Sequence, residues 1–205
     1  MINKPKIKYT EVTSFELSTQ KNIYSNLNIS GTENDMILCD ITLDTCIFNN
    51  INFTNYTIDN VDLIDCVFNN CDLSNVNFRN RYIRRIQFNN CKLMGTILDN
   101  TNFTDVSFND CTLKYISFNN AILKNVEFWG CDLEEATFME TSFKDVLFDN
   151  CNMKKCDFYG TSLNNIDLST SDIEEIRIDV KNLKGATINT LECIMITNML
   201  GINVK

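Results

Sequence analysis

The chain has 205 residues, a formal net charge of −9, a pI near 4.5 and no histidine. Without histidine the commonest general base and the commonest metal ligand are missing, which removes Ser-His, Cys-His and most zinc chemistry together. The acidic balance disfavours nonspecific binding to nucleic acid or to an anionic membrane, and suits a protein that competes with phosphate for a basic partner.

Residues 1–35 open the chain without a regular pattern. Met1 to Lys8 is polar and carries lysines, with no apolar run behind it, so nothing here reads as a signal peptide. Nowhere do 18 consecutive apolar residues occur, so no membrane span is expected. The expectation is a soluble, cytoplasmic protein whose ten cysteines remain thiols. Phe15, Leu17, Ile23, Leu27 and Ile29 are candidates for an irregular first coil or cap, without a register that the sequence alone can set.

From Leu38 an apolar residue recurs at every fifth position as far as Ile188, 31 positions with no phase slip and no polar residue. Thirteen of the 14 phenylalanines fall on this comb. Neither a helix, with period 3.6, nor a strand, with period 2, produces a strict repeat of five. A second comb lies two residues earlier in each unit (Cys46, Ile51, Val61, Cys66, Cys71, Val76) and holds mostly small or medium apolar residues and threonine. Residues two apart on an extended chain share a side, so both combs point inward. The positions between them, rich in Asn, Asp, Ser, Thr, Lys and Glu, suit solvent and tight turns.

A step of twenty sorts residue types better than a step of fifteen. Phe48, Phe68, Phe88, Phe108, Phe128 and Phe148 form one run, and Cys71, Cys91, Cys111, Cys131 and Cys151 another. Four units therefore close one coil, and residues 36–188 predict an all-β solenoid of seven to eight four-sided coils, a rod roughly 35–40 Å long at ~4.8 Å per coil. Eight of the ten cysteines lie on the inner comb, where a thiol packs as a small apolar group. No C-x-x-C pair occurs, so neither metal nor cofactor is expected.

Residues 189–205 predict a helix and tail. Asn189 is placed to cap it, with Glu192 three residues on, and Gly201 fits its stop. Leu191, Ile194, Met195, Met199 and Leu200 project in nearly all directions. A helix apolar all round is buried on more than one side. It either folds over the coil end alone or also pairs with a second copy about a two-fold axis.

The five-residue unit, as in Cys66-Val67-Phe68-Asn69-Asn70 and Ala136-Thr137-Phe138-Met139-Glu140, resembles the pentapeptide-repeat family. Length, acidity and the ending Leu183-Lys184-Gly185-Ala186, a short helix and Leu200-Gly201-Ile202 resemble its Qnr and MfpA type. The unbroken register leaves no room for projecting loops, which is closer to MfpA and to chromosomal Gram-positive Qnr-like proteins. The resemblance implies a right-handed quadrilateral β-helix, dimeric through its C-terminal helix, that mimics DNA and protects DNA gyrase and topoisomerase IV from quinolones. It implies no enzymatic activity and no direct contact with nucleic acid. The alternative is a repeat scaffold or adaptor for an unrelated protein partner.

Two groups of residues are candidates for the contact. Asp40, Asp65, Asp105, Asp110, Asp132 and Asp145 sit at outward positions, either as solubilising surface or as a charge array that imitates a nucleic-acid backbone. Arg79, Arg81, Arg84 and Arg85 crowd around Tyr82, as a solvated basic corner or as a partner contact, and Tyr115, Trp129 and Tyr159 are further exposed candidates. Arg81 takes an inner position, where an unpaired charge is costly, so the backbone there must bulge or the guanidinium must reach outward.

Overall fold

The computed structural model describes residues 2–7, 22–31, 37–199 and 201. Its strands are β1 (Ile23–Ser25), β2 (Asn28–Ser30), β3 (Ile37–Asp44), β4 (Ile47–Asn49), β5 (Thr57–Ile64), β6 (Val67–Asn69), β7 (Tyr82–Asn89), β8 (Asn102–Asn109), β9 (Ile122–Trp129) and β10 (Ser142–Asp149). A 3-10 turn at Val180–Leu183 and the helix α1 (Thr190–Met199) follow. All the strand pairs are parallel, and from β3 onward they join residues twenty apart, as in Phe88↔Phe108 and Phe108↔Phe128. The chain is a four-sided β-helix, as the repeat predicts.

Each coil turns its corners by one device. Every fifth residue from Asp40 to Gly185, apart from Asn55, Thr170 and Val180, has a positive φ, between 51° and 85°. Asparagine, aspartate and glycine tolerate this left-handed backbone best, which is why they dominate these positions. Four faces result, named here by their central residues. Face 1 runs through Leu63, Ile83, Phe103 and Leu123, and face 2 through Phe68, Phe88, Phe108 and Phe128. Face 3 runs through Leu73, Leu93, Leu113 and Leu133, and face 4 through Phe78, Leu98, Phe118 and Phe138. Strands β7 to β10 cross faces 1 and 2 without a break and β3 and β5 cross faces 4 and 1, whereas face 3 and the later coils of face 4 are joined by single bridges.

The core is the pair of inward combs. Of the 31 central residues all but Ile58, Phe143, Leu183 and Ile188 are buried, and these four still pack against the core. The phenylalanines of face 2 stack one per coil, with centroids 4.8–5.0 Å apart and ring planes within 17° of parallel. Rings of face 4 meet them edge-on, as Phe118 meets Phe108 at 6.2 Å and 84°. Both arrangements are favourable for aromatic quadrupoles.

The first coil is one residue short. β1 and β2 pair with β3 and β4 at a spacing of nineteen, which puts Tyr24 and Ile29 at inward positions under Leu43 and Phe48. Leu27 packs partly against the core, but Ile23 faces outward and is 60% exposed, contrary to its expected place inside. Phe15 and Leu17 lie outside the described residues. From Ile29 to Phe148 the ladder of face 2 runs six steps without interruption.

At the far end Asn189 Oδ1 accepts the Glu192 amide at 3.0 Å, the expected cap of α1, and Gly201 has φ 71°. Met195 packs on the last coil, its Sδ accepting the Glu175 amide at 3.3 Å. Leu191 and Ile194 stay exposed, at 81% and 52%. The side chain of Met199 and residue Leu200 lie outside the described residues.

Truncating a ring in the middle of the stack tests this core. Phe108→Ala removes a side chain with no exposed surface and contacts on two faces. It is expected to cost about 3–5 kcal/mol in urea unfolding. A loss below about 1 kcal/mol would contradict the inward assignment.

Candidate protein-interaction surfaces

The twenty-residue register places every outward side chain in a column, so the predicted contact residues can be assigned to faces. The six aspartates do not form one array. Asp65, Asp105 and Asp145 lie on the edge between faces 1 and 2, Asp110 between faces 2 and 3, Asp40 between faces 4 and 1, and Asp132 on face 3. Two are not surface acids at all. Asp65 and Asp105 are only 5% and 6% exposed, because Arg85 lies between them in the column and residues 2–7 run across the same edge. That is a correction to their expected outward role.

This edge is an ion-pair ladder. Arg85 Nε donates to Asp65 Oδ1 at 2.6 Å, and Nη2 donates to Oδ2. The Lys6 amide donates to Asp65 Oδ1 at 2.8 Å, and Asn3 Nδ2 to Asp105 Oδ2 at 3.0 Å, while Asn125 donates to Asp105. Burial opposes the charge on both carboxylates, but these donors outweigh it and hold both below the usual carboxylate range. Asn3 and Lys6 are three residues apart and contact rungs two coils apart, so the N-terminal segment runs along the rod axis. Three extended residues cover roughly 10 Å, and two coils roughly the same.

The arginine cluster spreads over two faces. Arg79 on face 4 pairs with Asp99 at 2.9 Å. Arg81 keeps its inner backbone position, with its amide on Thr101 Oγ1 at 3.3 Å, but its Nε reaches out to the Arg79 carbonyl at 3.0 Å. Arg84 and Tyr82 are exposed on face 1. Arg84 shares a column with Lys124 and Lys144, which makes face 1 the most basic side. The exposed aromatics are equally dispersed: Tyr115 at the corner of faces 3 and 4, Trp129 on face 2 and Tyr159 on face 4, with Arg177 5.9 Å from its ring centroid.

Face 2 has the opposite character. Its units 46–50, 66–70, 86–90, 106–110, 126–130, 146–150 and 166–170 contain no Lys or Arg, and carry Asp110, Glu127, Asp149 and Asp167. Along it runs a ladder of amides in which Asn69, Asn89 and Asn109 each donate to the asparagine one coil earlier at 2.8–2.9 Å. Trp129 continues this column and donates Nε1 to Glu127 Oε2 at 3.0 Å. Among the described residues this is the face with negative and neutral side chains only. Single-residue inspection misses it, although stepping by twenty from Asn49 finds it.

Among the described residues no three His, Cys, Asp or Glu lie close enough to hold a metal ion, and no helix is long and apolar enough to cross a membrane. Eight thiols on the inner comb are buried, and burial pushes those of Cys66 and Cys156 upward, away from the reactive thiolate.

The Asp65–Arg85 pair predicts a pH signature. The folded pKa of Asp65 lies below its unfolded value of about 3.9, so its contribution is present above that pH and is lost as pH falls through the lower folded value. Asp65→Asn leaves Arg85 largely buried without its partner and is expected to cost about 3 kcal/mol at pH 7. Urea unfolding should show that deficit shrinking near pH 2; an equal deficit at both pH values would exclude the ion pair as its cause.

Comparison with known proteins follows the same repeat. The family model described as the pentapeptide repeat region matches residues 61–138 and 101–178, which together span more than half of the chain. A search of curated proteins finds no match. Among solved structures, a trypsin-treated form of QnrB1, described as a plasmid-mediated fluoroquinolone resistance protein, is similar at 13% identity, with 86% of this chain and 99% of that one covered and a TM-score of 0.40. HetL from the cyanobacterium Nostoc, a pentapeptide repeat protein involved in heterocyst differentiation regulation, is similar at 18% identity, over 82% of this chain and 90% of that one, with a TM-score of 0.37. A pentapeptide repeat protein from the Arabidopsis thaliana thylakoid lumen shares 23% identity over 49% of this chain and 63% of that one, at a TM-score of 0.37. The unbroken comb, the twenty-residue register and the matched family model together establish that the chain belongs to the pentapeptide-repeat family.

Proposed function

We propose that the chain is a non-catalytic interaction protein that presents face 2 to the basic DNA-holding surface of a bacterial type II topoisomerase, DNA gyrase or topoisomerase IV, and protects it from quinolones. The observation that carries this reading is the cation-free face. A rigid strip with four acids and no opposing charge has a physical reason to enter a groove built for a polyanion. Asp110, Glu127, Asp149 and Trp129 are its contact residues; of the six dispersed aspartates only Asp110 is among them. In this reading two copies pair through Leu191 and Ile194, the exposed side of α1, about a two-fold axis.

A second reading, an adaptor for a different protein, is favoured by face 1. There the Arg84, Lys124 and Lys144 column offers a basic contact that a DNA mimic does not need.

Gyrase supercoiling with ciprofloxacin, titrated with the protein at two salt concentrations, separates them. The first reading expects rescue at low protein, inhibition at higher protein and weakening of both by salt, with Glu127→Lys combined with Asp149→Lys losing at least about tenfold in potency. Indifference of gyrase and topoisomerase IV would leave the adaptor. For the pairing, Ile194→Glu should yield monomers by light scattering; dimers that persist would place the contact elsewhere.

A further inference from the structure

The ladder that joins successive coils is interrupted after β10. On one edge β10 pairs with β9 from Ser142↔Ile122 to Asp149↔Trp129, and on its other edge it pairs with no strand among the described residues. On this face the amides of Asn102, Ile122 and Ser142 bond back to the carbonyls of Arg81, Thr101 and Ala121 at 2.9–3.0 Å. Ser162, next in the column, makes no such bond to Thr141. At the corner, Thr45 and Asp65 bond forward to Ile64 and Arg84 at 3.0 Å, but Asp145 has no such bond to Asn164.

The following coil is itself intact, since the Leu163 and Asn165 amides bond onward to Asn182 and Gly185 at 2.9 and 3.0 Å. The gap therefore opens on one side only. Hydroxyls bridge it at its margins: Thr161 Oγ1 accepts the Thr141 amide at 2.8 Å, and Ser171 Oγ accepts the Cys151 amide at 3.1 Å. Between them lies a groove of about 570 Å³, walled by Phe143, Lys144 and Asp145 on the strand side and by Asn164, Asn165 and Ile166 opposite. Phe143 is the one phenylalanine of the comb that is not fully buried, because the rung that would cover it stands away.

We propose that this open edge is a peptide-binding site, which takes an extended segment of a partner protein as an added strand beside β10. The unpaired donors and acceptors of a strand edge are the chemistry that recognises such a segment. A strand residue in a packed sheet fills roughly 3.3 × 4.8 × 10 Å, so the groove holds about three to four residues. The segment carries one apolar side chain, seated on Phe143, and polar neighbours that face Lys144, Asn164 and Asn165. The groove opens on face 1, and the break in the ladder continues across face 2 to the Ser171 hydroxyl, so the test reads Phe143 and Asp145 on face 1, which the proposed face 2 contact does not include.

Amide hydrogen exchange on the full chain tests this, with a blocked peptide of the β8 sequence (residues 102–109) as probe, since that sequence already stacks in parallel register on this fold. Alone, Phe143 and Asp145 should exchange at least about 100-fold faster than Asp65 and Asn165, whose amides are bonded. Millimolar peptide should slow them at least about tenfold, and the same peptide N-methylated on alternate backbone amides should not. Slow exchange without peptide would show the ladder closed and overturn the proposal. So would failure of the peptide to protect, or equal protection by the methylated form. Protection that grows with protein concentration alone would assign the edge to a second copy and overturn it as well.

Discussion

Closing a square coil in twenty residues requires the backbone to turn at every fifth one, and the left-handed residue at each corner is the constraint on which the rest of the molecule depends. With the corners set, each coil lies one strand spacing from the next, and backbone amides are spent on the carbonyls of neighbouring coils. The side chains are then sorted without further choice. Two positions in five point inward, one makes the corner, and two face outward in columns. The fold demands apolar or small residues inside and a tolerant residue at the corner; the outward columns are free to carry function.

The inner comb has a chemical logic beyond packing. Cys71, Cys91, Cys111, Cys131 and Cys151 each donate Sγ–H to the carbonyl of a face 2 phenylalanine 23 residues earlier, at 3.4–3.5 Å. Thr96, Thr101 and Thr141 make the same bond with a hydroxyl, to Leu73, Phe78 and Phe118 at 2.7–2.8 Å. A small side chain with one donor adds a bond to a buried carbonyl there, a bond that Val and Ala at the same place do not make. The thiols are structural for a positive reason, and the absence of histidine is not needed to argue it.

The period of five, the coil of twenty, the inward residues and the Asn189 cap were legible in the sequence because each is a local or periodic signal. The rest was not, for identifiable reasons. One residue missing from the first coil shifts Tyr24 and Ile29 off the comb, so a strict step of five passes them by. Asp65 and Asp105 occupy corner positions that read as solvent, and only the return of Asn3 and Lys6 across 102 and 59 residues buries them. Arg81 was legible as an anomaly, and its guanidinium does reach outward. The open edge of β10 had no signal in the combs: Phe143 and Leu163 both obey the repeat, and the hydroxyls of Thr161 and Ser171 that span the gap sit at inner positions where small residues are ordinary.

What a partner feels is the charge of a face and not the total of −9. At physiological salt, exposed charges beyond about 8 Å are largely screened, which is less than two coils. Face 3 has its acids partly answered on this scale, because Lys114 lies 3.2 and 2.6 Å from Asp132 and Glu134, and Lys154 repeats the pattern with Asp172 and Glu174. Face 4 pairs Arg79 with Asp99 and Arg177 with Asp157, and face 1 alternates Asp65, Arg85 and Asp105 along its edge. Only face 2 has acids with no cation of its own to answer them. Its field thus survives at the distance where docking is decided, while asparagines along the same column keep the strip flat and uncharged between the acids. A partner chosen by electrostatics meets this face first, and the basic column of face 1 is turned aside from that contact.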